Sequence, residues 1–242
     1  NPKVLGEEDF FRQRYHLPIE RYGDISSLKD LKVRVSPFIL RRLKTDKAII
    51  SDLPEKIELT EWVGLSKEQR TLYKETVDKT INEIAISPNG QRNGKILGLL
   101  TKLKQICNHP SLFLKEKNIG ENFIQRSVKL QRLEEILEEV IEAGDRALMF
   151  TQFTEWGDLL KSYIEKKWGS EVPFLHGKSS KVERQIMIDR FQEDPRGPQL
   201  FLLSLKAGGV GLNLTRANHV FHIDRWWNPA VENQATDRAY RI

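Results

Sequence analysis

QLFLLSLKAGGVGLNLTRANHVFHIDRWWNP, residues 199–229, decides the fold of this chain. It opens on an apolar run, QLFLLS (199–204), and carries a second, HVFHI (219–223). Short apolar runs bounded by turn residues are the signature of strands covered on both faces. Between them stand Lys206 and the glycines Gly208, Gly209 and Gly211. Glycine lets backbone N–H groups come close to an anion. No acidic residue lies between Pro195 and Ile223 to repel a phosphate. The competing reading is a tight turn needed only for packing. A dinucleotide fingerprint fits poorly, because Leu214 stands where its third glycine belongs.

Working back along the chain, RALMF (146–150) and VPFL (172–175) are two further strands. Helical patterns alternate with them. Leu130, Leu133, Leu137, Val140 and Ile141 share one helix face, with Glu134, Glu135, Glu138 and Glu139 largely off it. Ser180 and Glu183 form a capping box for another helix. Asn228 caps a last one, with Pro229 at its first position. This alternation indicates an α/β fold, a parallel sheet with helices on both faces. Such sheets place their sites in loops at the carboxyl ends of the strands.

The first half reads differently. Residues 1–54 are a basic helical lead-in followed by a hinge. EKIELTEWVGL (55–65) alternates apolar and polar residues, which predicts a strand joining the sheet. Ser66 and Gln69 open an all-helical subdomain over 66–122, divided by the turn-rich SPNGQRNG (87–94). The α/β lobe then occupies 123–242.

Composition sets limits. With 242 residues the chain can bury a sizeable core. No apolar run approaches the roughly 20 residues of a membrane span. The single cysteine, Cys107, cannot form an internal disulfide, and it does not cluster with the five histidines at a zinc spacing. His219 and His222 fall on opposite faces of their strand, so no metal site is expected. The net charge of +5 is uneven: residues 1–126 hold 23 Lys/Arg against 17 Asp/Glu, and residues 127–242 hold 16 against 17. No acid lies between Glu83 and Glu116, where Arg92, Lys95, Lys102, Lys104 and Lys115 fall. Such a stretch is either a phosphate-attracting surface or a solvated helix face.

Two further features carry chemistry. Trp226 and Trp227 are adjacent, so one can pack while the other is exposed for stacking or a backbone contact. Arg238 and Arg241, three apart near the end of the last helix, can share a face and neutralise charge in phosphoryl transfer. Spacing alone favours two ordinary surface arginines, paired with Asp237 or solvent. Gly90–Ile96 mimics a P-loop but has three residues between its glycines and no Ser/Thr after Lys95.

Together these segments resemble the Swi/Snf family within helicase superfamily two. FILRRLKTDKAIISDLPEKIE (38–58) resembles the hinge between its lobes, and LKQICNHP (103–110) its Cys-Asn-His-Pro block. RALMFTQF (146–153) is similar to motif IV, and LHGKSSKVERQIMIDRF (175–191) to the segment after it. Residues 202–229 resemble motif V and its extension, and QATDRAYRI (234–242) resembles motif VI. Ser127-Val128-Lys129 departs from the family's Ser-Gly-Lys.

The resemblance implies a RecA-like second motor lobe with a helical subdomain, cut from a longer protein and inactive without the first lobe. It implies catalytic roles for Arg238 and Arg241, with Gln234 nearby. It implies DNA contacts from Ser204, Lys206, Ala207, Gly208 and Gly209, and from Thr151, Gln152, Trp226, Trp227 and Asn228. ATP and Mg2+ would be held mainly by the first lobe. The implied partners are double-stranded DNA, the first lobe and a DNA-bound remodelling target, with no membrane, in an intracellular DNA-associated setting. A strand-separating helicase and a degenerate binding lobe are the rival readings.

Overall fold

The computed structural model describes residues 2–39, 56–208 and 212–239. Most of the hinge, together with Gly209, Gly211 and Arg241, lies outside the described residues. The chain divides into two compact units, 1–54 and 55–242.

The first unit is helical: α1 (Pro2–Leu5), α2 (Glu8–Phe11), a π-helical turn (Arg12–His16), α3 (Leu17–Tyr22) and α4 (Ile25–Val35). Gly23, at φ 62°, ends α3 in the left-handed conformation that glycine adopts without strain. The Asp24 carboxylate then caps α4, accepting from the backbone N–H groups of Ser26 and Ser27. Tyr15 is buried and donates its hydroxyl to Asp30.

The second unit begins with α5 (Lys67–Ala85), α6 (Asn89–Asn108) and α7 (Pro110–Leu114). The Ser66–Gln69 capping box forms as expected. Gln69 also donates its amide to the carbonyl of Ile106 at 2.8 Å, which ties the start of α5 to the end of α6.

The strand expected over 55–65 is not formed among the described residues, which begin here at Lys56. Residues 56–66 have no regular secondary structure. Their alternation leaves Ile57, Leu59 and Trp62 79%, 84% and 90% exposed. Without a neighbouring ladder or buried face, nothing offsets the entropy of ordering a strand.

The remainder is the α/β lobe. It comprises α8 (Val128–Glu142), β1 (Ala147–Thr151), α9 (Thr154–Trp168), β2 (Phe174–Leu175) and α10 (Lys181–Gln192). β3 (Leu200–Ser204), α11 (Leu205–Gly208), β4 (His219–His222) and α12 (Pro229–Thr236) follow. The four described strands run in the order β2-β3-β1-β4, and every pairing is parallel.

Period-two alternation along these strands separates two cores. Ala147, Met149, Leu200, Leu202 and Phe174 meet Leu130, Leu133, Leu137, Trp156, Leu160 and Ile164 of α8 and α9. Leu148, Phe150, Leu175, Phe201 and Leu203 meet Phe191 of α10, Leu205 and Ala207 of α11, and Ala235 of α12. The sheet is therefore covered on both faces, as the apolar runs implied.

Gly157 of α9 sits directly against the buried ring of Phe174, and an added Cβ would overlap it. Gly157→Ala should lower stability by about 1–3 kcal/mol through overpacking, despite alanine's better helix propensity. Urea unfolding checks this.

Candidate functional site

The carboxyl ends of β1, β2 and β3 open onto a cavity of about 470 Å³. Gln152, Thr154, Glu155 and Asp158 line it from the β1–α9 side, and His176, Gly177 and Lys178 from the loop after β2. Ser204, Leu205 and Lys206 come from the end of β3, and Trp226 closes the remaining side. Lys206 and Lys178 are exposed cations here, opposed by the exposed carboxylates of Glu155 and Asp158.

Of the residues singled out in the sequence, Gln152, Ser204, Lys206 and Trp226 therefore meet in one place. Ser204 is nearly buried, and its Oγ accepts the N–H of Ala207, which is also buried. Thr151 has no exposed surface; its hydroxyl donates to Asp224 at 2.6 Å, so it supports the loop from beneath. Trp226 packs against the second core, while Trp227 is 55% exposed. Asn228 caps α12 by accepting the N–H of Ala230.

Arg238 lies beyond the last helix, while Arg241, expected to share its face, lies outside the described residues. α12 ends at Thr236, and Arg238 lies in the turn beyond it. There it is 5% exposed, with its backbone carbonyl accepting the N–H of Leu214 at 2.8 Å. Gln234 lies on the exposed side of α12.

Sequence reasoning missed what holds this site in place. Asp224 is 4% exposed, at the end of β4. Its carboxylate accepts from Thr151 Oγ1, from the Gln152 N–H at 2.8 Å and from Asn108 Nδ2 at 3.1 Å. Lys129 donates to Asn108 Oδ1 at 2.8 Å and to the Ile223 carbonyl at 3.1 Å. Burial pushes the Lys129 ammonium below the usual lysine range, and the Asp224 charge opposes that shift. Ser127 donates to the Asn108 carbonyl and caps α8. The visible signals were Asn108 in LKQICNHP and Lys129 after Ser127.

His109 extends the same joint. Its ring packs against both Phe123 and Trp156, with centroids at 4.0 and 5.5 Å. Nδ1 accepts the Ser111 N–H, so the ring proton sits on Nε2 and is donated to the Phe123 carbonyl. Burial pushes the imidazole down to about 4, with nearby Arg126 acting in the same direction. Arg126 itself bridges Glu68 and Glu116.

Among the described residues, no group of three His, Cys, Asp or Glu side chains is placed to hold a metal ion. No described helix is long and apolar enough to cross a membrane.

The SNF2-related domain matches residues 1–112, and the helicase conserved C-terminal domain matches residues 128–242. YwqA of Bacillus subtilis is 47% identical over the whole chain, which spans 26% of that protein. The Sulfolobus solfataricus SWI2/SNF2 ATPase core in complex with dsDNA is 45% identical, with a TM-score of 0.68. That match covers all of this chain and 50% of the solved one. The C-terminal domain of a Sulfolobus solfataricus SWI2/SNF2 ATPase is 47% identical, with a TM-score of 0.62. There the match covers 70% of this chain and 72% of the solved one.

The lowered His109 pKa gives a pH signature. Protonation is held off in the folded state, so this contribution to stability is complete above about 6.5 and is lost as pH falls towards about 4. The loss should approach about 3 kcal/mol. Urea unfolding between pH 7.5 and 4 should show it, and His109→Gln should flatten that part of the curve.

Proposed function

This chain belongs to the Swi/Snf family of helicase-type ATPases, and from that premise we propose that it is the second motor lobe of a double-stranded DNA translocase. The observation that carries the proposal is the convergence of Gln152, Lys206, Trp226 and the end of β3 on one open cavity. A cavity at the carboxyl ends of parallel strands is where such sheets bind ligands. Lys206 and Lys178 suit phosphate oxygens, while Glu155 and Asp158 in the same cavity limit its net positive charge.

The chain spans about a quarter of the curated relatives it matches. The activity is accordingly that of the longer protein. ATP and Mg2+ are held mainly by its first lobe, and Arg238 and Arg241 meet the nucleotide's phosphates from this side, with Gln234 beside them. ATP then bridges the lobes and hydrolysis releases the bridge. Ser204 at the end of β3 and Ala207 in α11, with Gly208 and Gly209 next in sequence, link this event to the backbone contact made by Lys206 and Gln152. Thr151 supports that contact, and Trp227 and Asn228 extend it. The partners are duplex DNA, the first lobe and a DNA-bound protein as remodelling target. This lobe alone does not hydrolyse ATP.

Hydrolysis by the full-length protein should be stimulated by duplex DNA and far less by single strands. Arg241→Ala should lower the stimulated rate by about 10³-fold or more, as for other phosphate-neutralising arginines. Preference for single strands, or near-normal turnover by Arg241→Ala, would contradict the proposal.

A further inference from the structure

Residues 223–227 join β4 to the cap of α12, and several elements hold their backbone. Lys129 donates to the Ile223 carbonyl. Lys104 of α6 donates to the Arg225 carbonyl at 2.8 Å. The Trp226 N–H donates to Glu232 Oε1 at 2.6 Å. Glu232 also pairs with Arg225 at 3.0 Å.

Against this fixed backbone one large aromatic side chain projects, that of Trp227. The Lys104 ammonium lies 3.6 Å from the centroid of its ring. Lys104 therefore grips the corner twice, by a hydrogen bond to the Arg225 carbonyl and by its charge over the indole. Because the first contact fixes the ammonium, the indole cannot swing away without losing the second. Burial lowers the Lys104 pKa, while Asp224 and Glu232 oppose the shift. Partial desolvation of this kind strengthens a cation–π contact. Lys104 is also one helical turn before Asn108, whose amide donates to Asp224. The end of α6 thus holds both the root of the corner and its exposed aromatic tip.

We propose that Lys104 is a positioning residue for duplex engagement, through which the helical pair α5–α6 fixes the Trp227 indole in the orientation that meets the DNA backbone. The inference rests on the duplex-binding reading of this lobe. It differs from a direct role, in which the Lys104 ammonium would itself neutralise a phosphate.

The test uses the full-length protein and its Lys104→Met, Lys104→Arg, Trp227→Ala and Lys104→Met/Trp227→Ala variants. Duplex affinity is measured across a salt series, and hydrolysis across a duplex titration. Lys104→Met should weaken duplex binding about 3–10-fold. The duplex concentration for half-maximal stimulation should rise by the same factor, with the maximal rate preserved. The dependence of log affinity on log salt should keep its slope. Lys104→Arg should restore most of the affinity, and Lys104→Met should add nothing once Trp227 is alanine. A slope reduced by about 0.9, with a loss that persists in the Trp227→Ala background, would make Lys104 a direct phosphate contact and overturn the inference. Unchanged binding in Lys104→Met would overturn the inference alone. Absence of duplex binding by the unmutated protein would overturn the duplex reading and this inference with it.

Discussion

A single buried carboxylate, that of Asp224, joins three parts of this chain that lie far apart in sequence. It takes hydrogen bonds from the loop after β1 and from the last residue of α6, and it stands at the end of β4. Isolated in an apolar interior, such a charge would be strongly unfavourable. Here three donors satisfy it, and the Lys129 ammonium, bonded to Asn108 and Ile223, balances it. Removing any one partner leaves the others buried and unsatisfied. The arrangement therefore specifies a single relation between the helical pair and the sheet.

This constraint also places the candidate site. Gln152 lines the cavity, and its backbone N–H is bonded to Asp224. Trp226 lines the same cavity two residues after Asp224. The helical pair, the β1–α9 loop and the β4–α12 corner consequently share one anchor beneath the surface on which a phosphate backbone would lie. A shift of α6 would be felt at Gln152 and at the tryptophans together. A rigid joint of this kind transmits movement instead of absorbing it.

The two-sided sheet was legible because burial on both faces writes itself locally, as apolar runs such as RALMF and QLFLLS. The caps at Ser66, Ser180 and Asn228 were legible for the same reason, since each involves residues within one helical turn. The segment from 56 to 66 shows the limit of that logic. Its alternation has strand character, but a strand needs a partner ladder, and Ile57, Leu59 and Trp62 remain in solvent. The joint around Asp224 left no periodic signal. Asn108 and His109 stood out only through the likeness of LKQICNHP to a family block, which names no partner, although their partners are Asp224, 116 residues away, and the Phe123 carbonyl. Thr151, read as a candidate ligand contact, is instead a buried support, because strand-end position does not reveal which way a hydroxyl is satisfied.

Asn108 and Asp224 act as one unit in holding the helical pair to the sheet. A double-mutant cycle with Asn108→Ala and Asp224→Asn, read by urea unfolding, should therefore give a coupling energy of about 1–3 kcal/mol between the two substitutions. Losses that add to within about 0.5 kcal/mol would contradict it, and would show that the two residues stabilise the lobe independently.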